Sequence, residues 1–140
     1  MPKPWVHALV SSGVAAATYA VTRRKDATAA AFVAGTLIDA DHLVDFAVVK
    51  LTKQRRWIIL PLHGWEYVPL LALFSRSPLM AAACVSYAIH LTLDQLFNGF
   101  GKNPGYFLLW RVKGGFDVEN IGLEFVPHHW ADKPISTWFR

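Results

Sequence analysis

Long apolar segments alternate with short basic connections along this chain. Residues 5–22 carry no charge, and a basic turn at 23–25 follows them. Further apolar segments cover residues 27–51, 57–74 and 79–97. The first segment comes close to the roughly 20 residues that a helix needs to cross the hydrocarbon core of a bilayer. The pattern therefore predicts an all-α protein, a compact membrane-embedded bundle of about four helices joined by short connections.

Proline, serine and asparagine mark where the later helices begin, bend and end. Pro61, near the start of the third segment, predicts a first helical turn there, and Pro69 predicts a kink. We expect Ser77 to cap the fourth helix, with Pro78 at its first position. Asn98 and the glycine that follows it predict the end of this helix.

The chain changes character after residue 100. The C-terminal extension, residues 101–140, is rich in glycine, proline, aromatic residues and charges of both signs, which predicts loops. Its tryptophans and cations suit a membrane–water interface, and an ordinary packed extension fits them equally well. These side chains are Trp110, Trp130, Trp138, Arg111, Lys113, Lys133 and Arg140. We expect one domain overall, with a helical bundle over residues 1–100 and this loop-rich extension packed against the interface.

The composition favours a protein that has the lipid bilayer as a partner. The chain is 54% hydrophobic and 17% charged, whereas soluble domains average about 45–50% and about 25%. The net charge of +4 comes from cations at segment ends, which suits anionic lipid headgroups. The sequence has no basic stripe with interleaved aromatic residues, so we expect no nucleic-acid partner. The single cysteine, Cys84, excludes an internal disulfide and a cysteine-rich zinc module.

The N-terminal segment allows two interpretations. An early lysine followed by an apolar, alanine-rich run resembles a secretory signal. His7 inside the run and the basic stop at 23–25 favour a first helix that is retained. If all four helices span, the distribution of cations places both termini in the cytoplasm.

The acidic residues between positions 27 and 100 all lie inside apolar segments, each within four positions of a histidine or another acid. They are Asp39, Asp41, Asp45, Glu66 and Asp94, and His42, His63 and His90 lie among them. Surface helices usually mix both charge signs along a polar face. The separation seen here indicates that acids and histidines share an interior. Buried carboxylates and imidazoles need a counter-charge, and a metal ion is the simplest one.

The spacing of these residues supports a shared site. His90 and Asp94 are four positions apart, which places both on one face of a helix. On a regular helix Asp39 would not aim at the same point as Asp41, so we expect an irregularity near Gly35. The sequence thus has three clusters, Asp39–His42, His63–Glu66 and His90–Asp94. From their distances to the turns we expect them to share one level, which is the arrangement of carboxylate–histidine metal sites within helix bundles.

The cost of burying the acids strengthens the argument for a metal. An aspartate at the centre of a membrane helix costs roughly 2.5–3.5 kcal/mol on insertion scales, and the second segment holds three. It has no lysine or arginine between positions 27 and 49 to pair with them. One divalent ion, or two, would remove the problem. The mixed nitrogen and oxygen donors suit Zn, Mn or Fe(II) better than Ca, with Zn the first choice.

Each of the three clusters is common by itself, and it is their occurrence together that predicts a metal site. The predicted ligands are Asp39, Asp41, His42, His63, His90 and Asp94. Glu66, three positions after His63, is the predicted general base, or else a further ligand. His7 is either a further ligand or a hydrogen-bonded core histidine.

These motifs resemble the YdjM-like family of membrane-bound metal-dependent hydrolases. The family pattern has an early histidine on the first helix, Asp-x-Asp-His after an apolar run, and His-x-x-x-Asp on a later helix. Here His7, the run from Leu37 to His42, and the step from His90 to Asp94 match it. The aromatic stretch 106–110 also matches, and the resemblance covers about residues 5–115. The central block departs, with one histidine in the run 61–66 where the family has two.

The resemblance implies a multi-pass protein of the inner membrane that hydrolyses its substrate with a metal-activated water. The substrate would be amphiphilic, such as a lipid-like ester or phosphoester. Two other interpretations stay open at this point. A non-enzymatic membrane protein that binds or conducts metal ions or protons would also carry buried acids and histidines. A soluble, very apolar helical domain would instead carry its acids on the surface.

Overall fold

The computed structural model describes residues 3–54, 56–98 and 104–122, and over these ranges the protein is all-helical. The α-helices are α1 (Pro4–Thr22), α2 (Lys25–Thr36), α3 (His42–Thr52), α4 (Tyr67–Leu73), α5 (Pro78–Phe97) and α6 (Leu108–Lys113). Two 3-10 helices cover Leu37–Asp41 and Pro104–Tyr106. The only β-type pairing in these ranges is an isolated antiparallel bridge between Trp57 and Asp117. The predicted all-α class and helical bundle are confirmed.

Three helices, α1, α2 and α5, pack through stripes of small residues spaced four apart. The buried members are His7, Ser11 and Ala15 on α1, Ala27, Ala31 and Gly35 on α2, and Ala82, Ser86 and His90 on α5. Residues four positions apart form one row on a helix, so each stripe presents a continuous face to its neighbours. A Cβ atom on Gly35 would lie 2.1 Å from Oγ of Ser11 and 2.4 Å from Oγ of Ser86. The absence of a side chain at Gly35 therefore allows the three helices to meet.

The second apolar segment is not one continuous helix, which corrects the predicted span of residues 27–51. The α-helix ends at Thr36, a 3-10 helix covers Leu37–Asp41, and α3 begins at His42. In a 3-10 helix, residues three apart lie directly above one another. Asp39 and His42 are related in this way, and their side chains approach to 3.6 Å between Oδ1 and Nε2. The change of helix type near Gly35, which the sequence predicts, turns Asp39 toward its neighbours.

The third apolar segment is only partly helical, so the predicted helix over residues 57–74 is wrong for its first half. Residues 56–66, the His63 loop, are largely irregular, and α4 covers only Tyr67–Leu73. Leu60 has a positive φ of 38° immediately before Pro61, and a residue before proline is disfavoured in the α conformation. Pro69 lies in the first turn of α4, where helical N–H groups have no partner within the helix.

The fourth apolar segment forms α5 as the sequence predicts. Oγ of Ser77 accepts a hydrogen bond from the N–H of Met80 at 3.2 Å, and Pro78 occupies the first helical position. Among the described residues, α5 is the one helix that is long and apolar enough to cross a membrane. The structure thus offers one candidate span, and the predicted multi-pass arrangement gains no support from it.

Residues 104–122, here called the C-terminal segment, pack against the His63 loop. Ile58 and Leu60 of the loop share a buried core with Tyr106, Val118 and Ile121. Arg111 is fully buried, so for this residue the structure supports the packed extension and not the interface. The remaining predicted interface residues after position 122, which are Trp130, Lys133, Trp138 and Arg140, lie outside the described residues.

Candidate metal centre

Six side chains from five parts of the chain meet at one end of the α1–α2–α5 packing. Their nitrogen and oxygen atoms form two groups, and within each group the ligand atoms lie within 4.8 Å of one another. The first group comprises His7, Asp39, His90 and Asp94, and the second comprises Asp39, His42 and His63. All are buried except Asp39, which is partly buried. Such a group of histidines and aspartates can hold a metal ion.

Asp94 is the hub of the cluster. The Nε2 atoms of His7, His63 and His90 lie 3.2, 3.0 and 3.3 Å from its carboxylate oxygens. The Nε2 atoms of His63 and His90 are themselves only 3.2 Å apart. Three imidazole nitrogens thus converge on a single buried carboxylate.

The outer nitrogens of two of these rings are held by other groups. Nδ1 of His90 lies 2.9 Å from the carbonyl oxygen of Gly35. Because a carbonyl oxygen can only accept, Nδ1 carries the hydrogen, and the lone pair of Nε2 faces the cluster when the ring is neutral. Nδ1 of His63 lies 2.9 and 3.0 Å from the carboxylate oxygens of Asp41. A carboxylate or carbonyl behind the ring is the usual support of a histidine that binds a metal.

The two carboxylates beside His63 favour a positive charge on or next to its ring. Burial lowers the pKa of His63, but hydrogen bonds to Asp41 and Asp94 outweigh this effect and raise the pKa to about 9. In the metal-free protein, His63 therefore holds a proton between these two carboxylates at neutral pH. A metal ion bound at Nε2 would take the place of that proton.

Asp39 belongs to both ligand groups and is the most exposed member of either. Its Oδ1 lies 3.5, 3.6 and 3.7 Å from the Nε2 atoms of His90, His42 and His63. Its side chain is 19% exposed, whereas the other members are at most 10% exposed. The cluster therefore reaches its surroundings at Asp39.

Most of the predicted ligands come together, and two predicted residues have other contacts. Asp39, His42, His63, His90 and Asp94 all belong to the converging groups. Asp41 lies behind His63, where its carboxylate also accepts the N–H of Leu62 at 2.7 Å. His7, for which the sequence leaves two roles open, points its Nε2 into the cluster.

Glu66 lies outside both ligand groups. Its two carboxylate oxygens accept the N–H groups of Leu108 and Leu109, each at 2.9 Å. Partial burial raises the pKa of Glu66, and these two hydrogen bonds reverse the effect, so that the pKa is lowered overall. Glu66 thus binds the first turn of α6, and its predicted role as general base stays a prediction.

Three residues that support the His63 loop were not among the predicted site residues. Asp45 accepts the N–H groups of Ile59 and Leu60 at 2.9 and 3.2 Å. The hydroxyl of Tyr87 lies 2.6 Å from the carbonyl oxygen of Leu62. The third residue is Arg111, from the C-terminal segment. Asp45 carries a signal in the sequence, an acid within an apolar run, whereas Tyr87 and Arg111 carry none.

Fold and site together define an all-helical protein with a buried histidine–aspartate group that can hold a metal ion. The chain matches no protein-family model and no curated protein, and its fold matches no solved structure at a significant level.

Proposed function

We propose that this protein is a membrane-bound metal-dependent hydrolase. The observation that carries the proposal is the convergence of three Nε2 atoms on Asp94, with the rings of His63 and His90 fixed from behind by Asp41 and the carbonyl of Gly35. Structural zinc sites are closed by protein ligands, whereas catalytic sites keep one position open. The partly exposed Asp39 gives this cluster a side on which water and substrate can approach.

The donor set favours zinc, with manganese or iron(II) as alternatives, because imidazole and carboxylate ligands suit these ions better than calcium. The two ligand groups share Asp39. We infer that the centre takes two ions, one beside His7 and His90 and the other beside His42 and His63. Asp39 would then contribute a carboxylate to both.

A bound ion would lower the pKa of a water molecule and polarise the carbonyl or phosphoryl group of the substrate. The residues of the chain supply the rest of the mechanism. Asp41 keeps Nδ1 of His63 protonated and the ring oriented. Oδ1 of Asp39 faces the ligand nitrogens, so its other oxygen, Oδ2, would be left to accept a hydrogen bond from the entering water and to take its proton. Glu66 has both oxygens bound to backbone N–H groups, which leaves Asp39 as the better placed of the two carboxylates.

The outer surface supports the membrane part of the proposal. Large apolar side chains are exposed on several helices, including Trp5, Leu9 and Val21 on α1, Leu70 and Leu73 on α4, and Val85, Leu96 and Phe97 on α5. Exposed apolar side chains on several helices suit contact with lipid, and α5 is long and apolar enough to span. We propose a multi-pass protein of the inner membrane, as its resemblance to the YdjM-like family implies.

The surroundings of Asp39 favour an amphiphilic substrate. Leu37, two positions before Asp39, is 59% exposed, and Leu43, four positions after it, is 58% exposed. Exposed leucines on both sides of the one accessible ligand would contact an acyl chain, while the ester or phosphoester group meets the ions. We therefore propose a lipid-like ester or phosphoester as the substrate class.

A second candidate function is a non-enzymatic membrane protein that binds or conducts protons or metal ions. The observation that favours it is the position of the His63 ring between two buried carboxylates, 2.9 Å from Asp41 and 3.0 Å from Asp94, which suits a proton as well as a metal.

Elemental analysis and a hydrolase screen of the detergent-purified full chain test the proposal. We expect bound Zn, Mn or Fe, and hydrolysis of lipid-like esters or phosphoesters, in the wild type. Asp94→Asn should lose the hydrolysis and at least the ion of the first ligand group. Asp26→Asn is the matched control, because Asp26 forms an exposed ion pair with Arg24. Metal without hydrolysis would favour the second candidate, and absence of metal after refolding with metal offered would overturn the proposal.

A further inference from the structure

The His63 loop has few backbone hydrogen bonds within itself, so its position depends on other parts of the chain. Its N–H groups donate to side chains of the helical bundle, through Asp45, Asp41 and Tyr87. Buried backbone groups need such partners, because a buried N–H group without an acceptor destabilises the folded state. The carbonyl oxygens of the same loop need hydrogen-bond donors in turn.

Arg111 supplies those donors. Its Nη1 donates to the carbonyl oxygens of Ile59 and Leu60 at 2.8 and 2.9 Å, and its Nη2 donates to the carbonyl oxygen of His63. The side chain is fully buried. A guanidinium is planar and carries donors on several nitrogens, so it can hold carbonyls on both sides of a turn, which a lysine ammonium cannot do in the same geometry.

The helix that carries Arg111 is itself tied to the same loop. Glu66, at the end of the loop, accepts the N–H groups of Leu108 and Leu109 at the start of α6. The N–H of Trp65 donates to the carbonyl oxygen of Tyr106 at 3.0 Å. The end of the loop and the start of α6 therefore hold each other, and Arg111 reaches from the middle of α6 to the backbone of His63.

We propose that Arg111 is a positioning residue of the metal centre. By holding the carbonyl of His63 and the two carbonyls of Ile59 and Leu60, it fixes the backbone from which the His63 ring reaches Asp94. The C-terminal segment is thus part of the metal site, although none of its residues belongs to the ligand groups. This inference rests on the proposed metal-binding function.

The experiment compares Arg111→Met, which keeps the apolar stem and removes the donors, with Arg56→Met. Arg56 joins the same two segments through an ion pair with Asp117 at 2.9 Å, but it lies seven positions before His63 and is more than half exposed. Full-length variants are purified in detergent and titrated with Co²⁺ alone. Affinity is measured by competition with a chelator, and the ligand field by the visible absorption of bound cobalt.

For Arg111→Met we expect a loss of about 10- to 100-fold in Co²⁺ affinity, the usual effect of removing a group that supports a ligand. The visible spectrum should also change, because His63 no longer takes its place among the ligands. Arg56→Met should keep the wild-type affinity and spectrum. If Arg111→Met does not fold, Arg111→Lys is measured in its place, and the same direction of change is expected.

The outcomes separate this inference from the function on which it rests. Wild-type affinity and spectrum in a folded Arg111 variant, with only a lower melting temperature, would overturn the positioning role and leave the metal centre intact. A wild-type protein that binds no Co²⁺ would overturn the metal centre itself. Equal losses in the Arg111 and Arg56 variants would show a general effect of loosening the C-terminal segment, and would also overturn the specific role of Arg111.

Discussion

Nε2 of His63 lies 3.0 Å from Oδ2 of Asp94, although the two residues come from an irregular loop and from the last turn of α5, 31 positions later. The two ring nitrogens of His63 thus contact two carboxylates, Nδ1 that of Asp41 and Nε2 that of Asp94. A proton and a metal ion would both be stable at Nε2 of His63, and they exclude each other. Most of the pH behaviour of the cluster follows from this competition.

The first prediction concerns proton release. Because the pKa of His63 is about 9 in the metal-free protein, metal binding at pH 7 should release about one proton from this ring. Up to about pH 9, where the ring of the metal-free protein loses this proton, affinity should therefore rise about tenfold per pH unit. Titration calorimetry in buffers of different ionisation enthalpy measures the protons released. Binding without proton release would remove His63 from the ligands.

The stability of the metal-free protein should depend on pH in the opposite direction. The folded protein binds the His63 proton more tightly than the unfolded chain, so this contribution is fully present below about pH 6.5. It is lost as the pH rises through 9. We expect the melting temperature of chelator-treated protein to fall between these values. In His63→Gln, which has no group that titrates in this range, the fall should be smaller, and an equal fall in both proteins would contradict the prediction.

Gly35 links helix packing to the metal centre, and its replacement should damage both. In Gly35→Ala the new Cβ meets Oγ of Ser11 and Ser86 at 2.1 and 2.4 Å and Cβ of Ser11 at 2.9 Å. The hydroxyl groups can rotate away but the Cβ atom cannot, so the helices must separate and the carbonyl of Gly35 moves away from His90. We expect a loss of about 1–3 kcal/mol in unfolding free energy, as for other overpacked sites, together with weaker metal binding.

The matched control for this variant is Gly13→Ala on α1. A Cβ at Gly13 has nothing within 4 Å, and alanine is the better helix former by about 0.5–1 kcal/mol. This variant should therefore be slightly stabilised and should bind metal normally. Chemical denaturation and metal content measure both effects, and a neutral Gly35→Ala would mean that the three helices do not pack this closely.

The number of bound ions tests the shared role of Asp39. If the two ligand groups hold one ion each, the wild type should contain about two ions per chain, and His7→Ala and His42→Ala should each contain about one. His7 belongs only to the first group and His42 only to the second. Elemental analysis of equally folded variants gives the count. One ion in the wild type, lost completely in either variant, would indicate a single centre with mixed ligands.

The sequence predicts the parts of this structure that depend on local patterns. The uncharged run after Lys3 becomes α1, Ser77 caps α5, and the four-residue step from His90 to Asp94 places both side chains on one face. The expected irregularity near Gly35 is present as the 3-10 helix Leu37–Asp41, which brings Asp39 and His42 to the same point.

The parts that the sequence does not predict depend on contacts between distant residues. The segment around His63 is apolar enough to resemble a helix, and Pro61, which the pattern places at a first helical turn, lies instead in an irregular loop. The loop is stabilised by Asp45, Tyr87 and Arg111, whose partners are backbone atoms far away in the chain. Contacts of this kind, between a side chain and a distant backbone group, leave no periodic pattern in the sequence. An arginine beside aromatic residues has the same sequence pattern at a membrane interface and in a buried core, so the pattern does not show which of the two Arg111 occupies.

Glu66→Gln separates the role that the sequence suggests for this residue from the role that its contacts indicate. Glutamine offers one carbonyl oxygen in place of two carboxylate oxygens, so one of the N–H groups of Leu108 and Leu109 loses its acceptor. We expect a loss of about 1 kcal/mol in unfolding free energy. Metal content should stay near that of the wild type, and the rate of hydrolysis per bound ion should not change. Denaturation, elemental analysis and a hydrolysis assay on one preparation measure all three. Full metal content and stability with hydrolysis abolished would instead show that Glu66 is the general base, and would transfer to it the role proposed for Asp39.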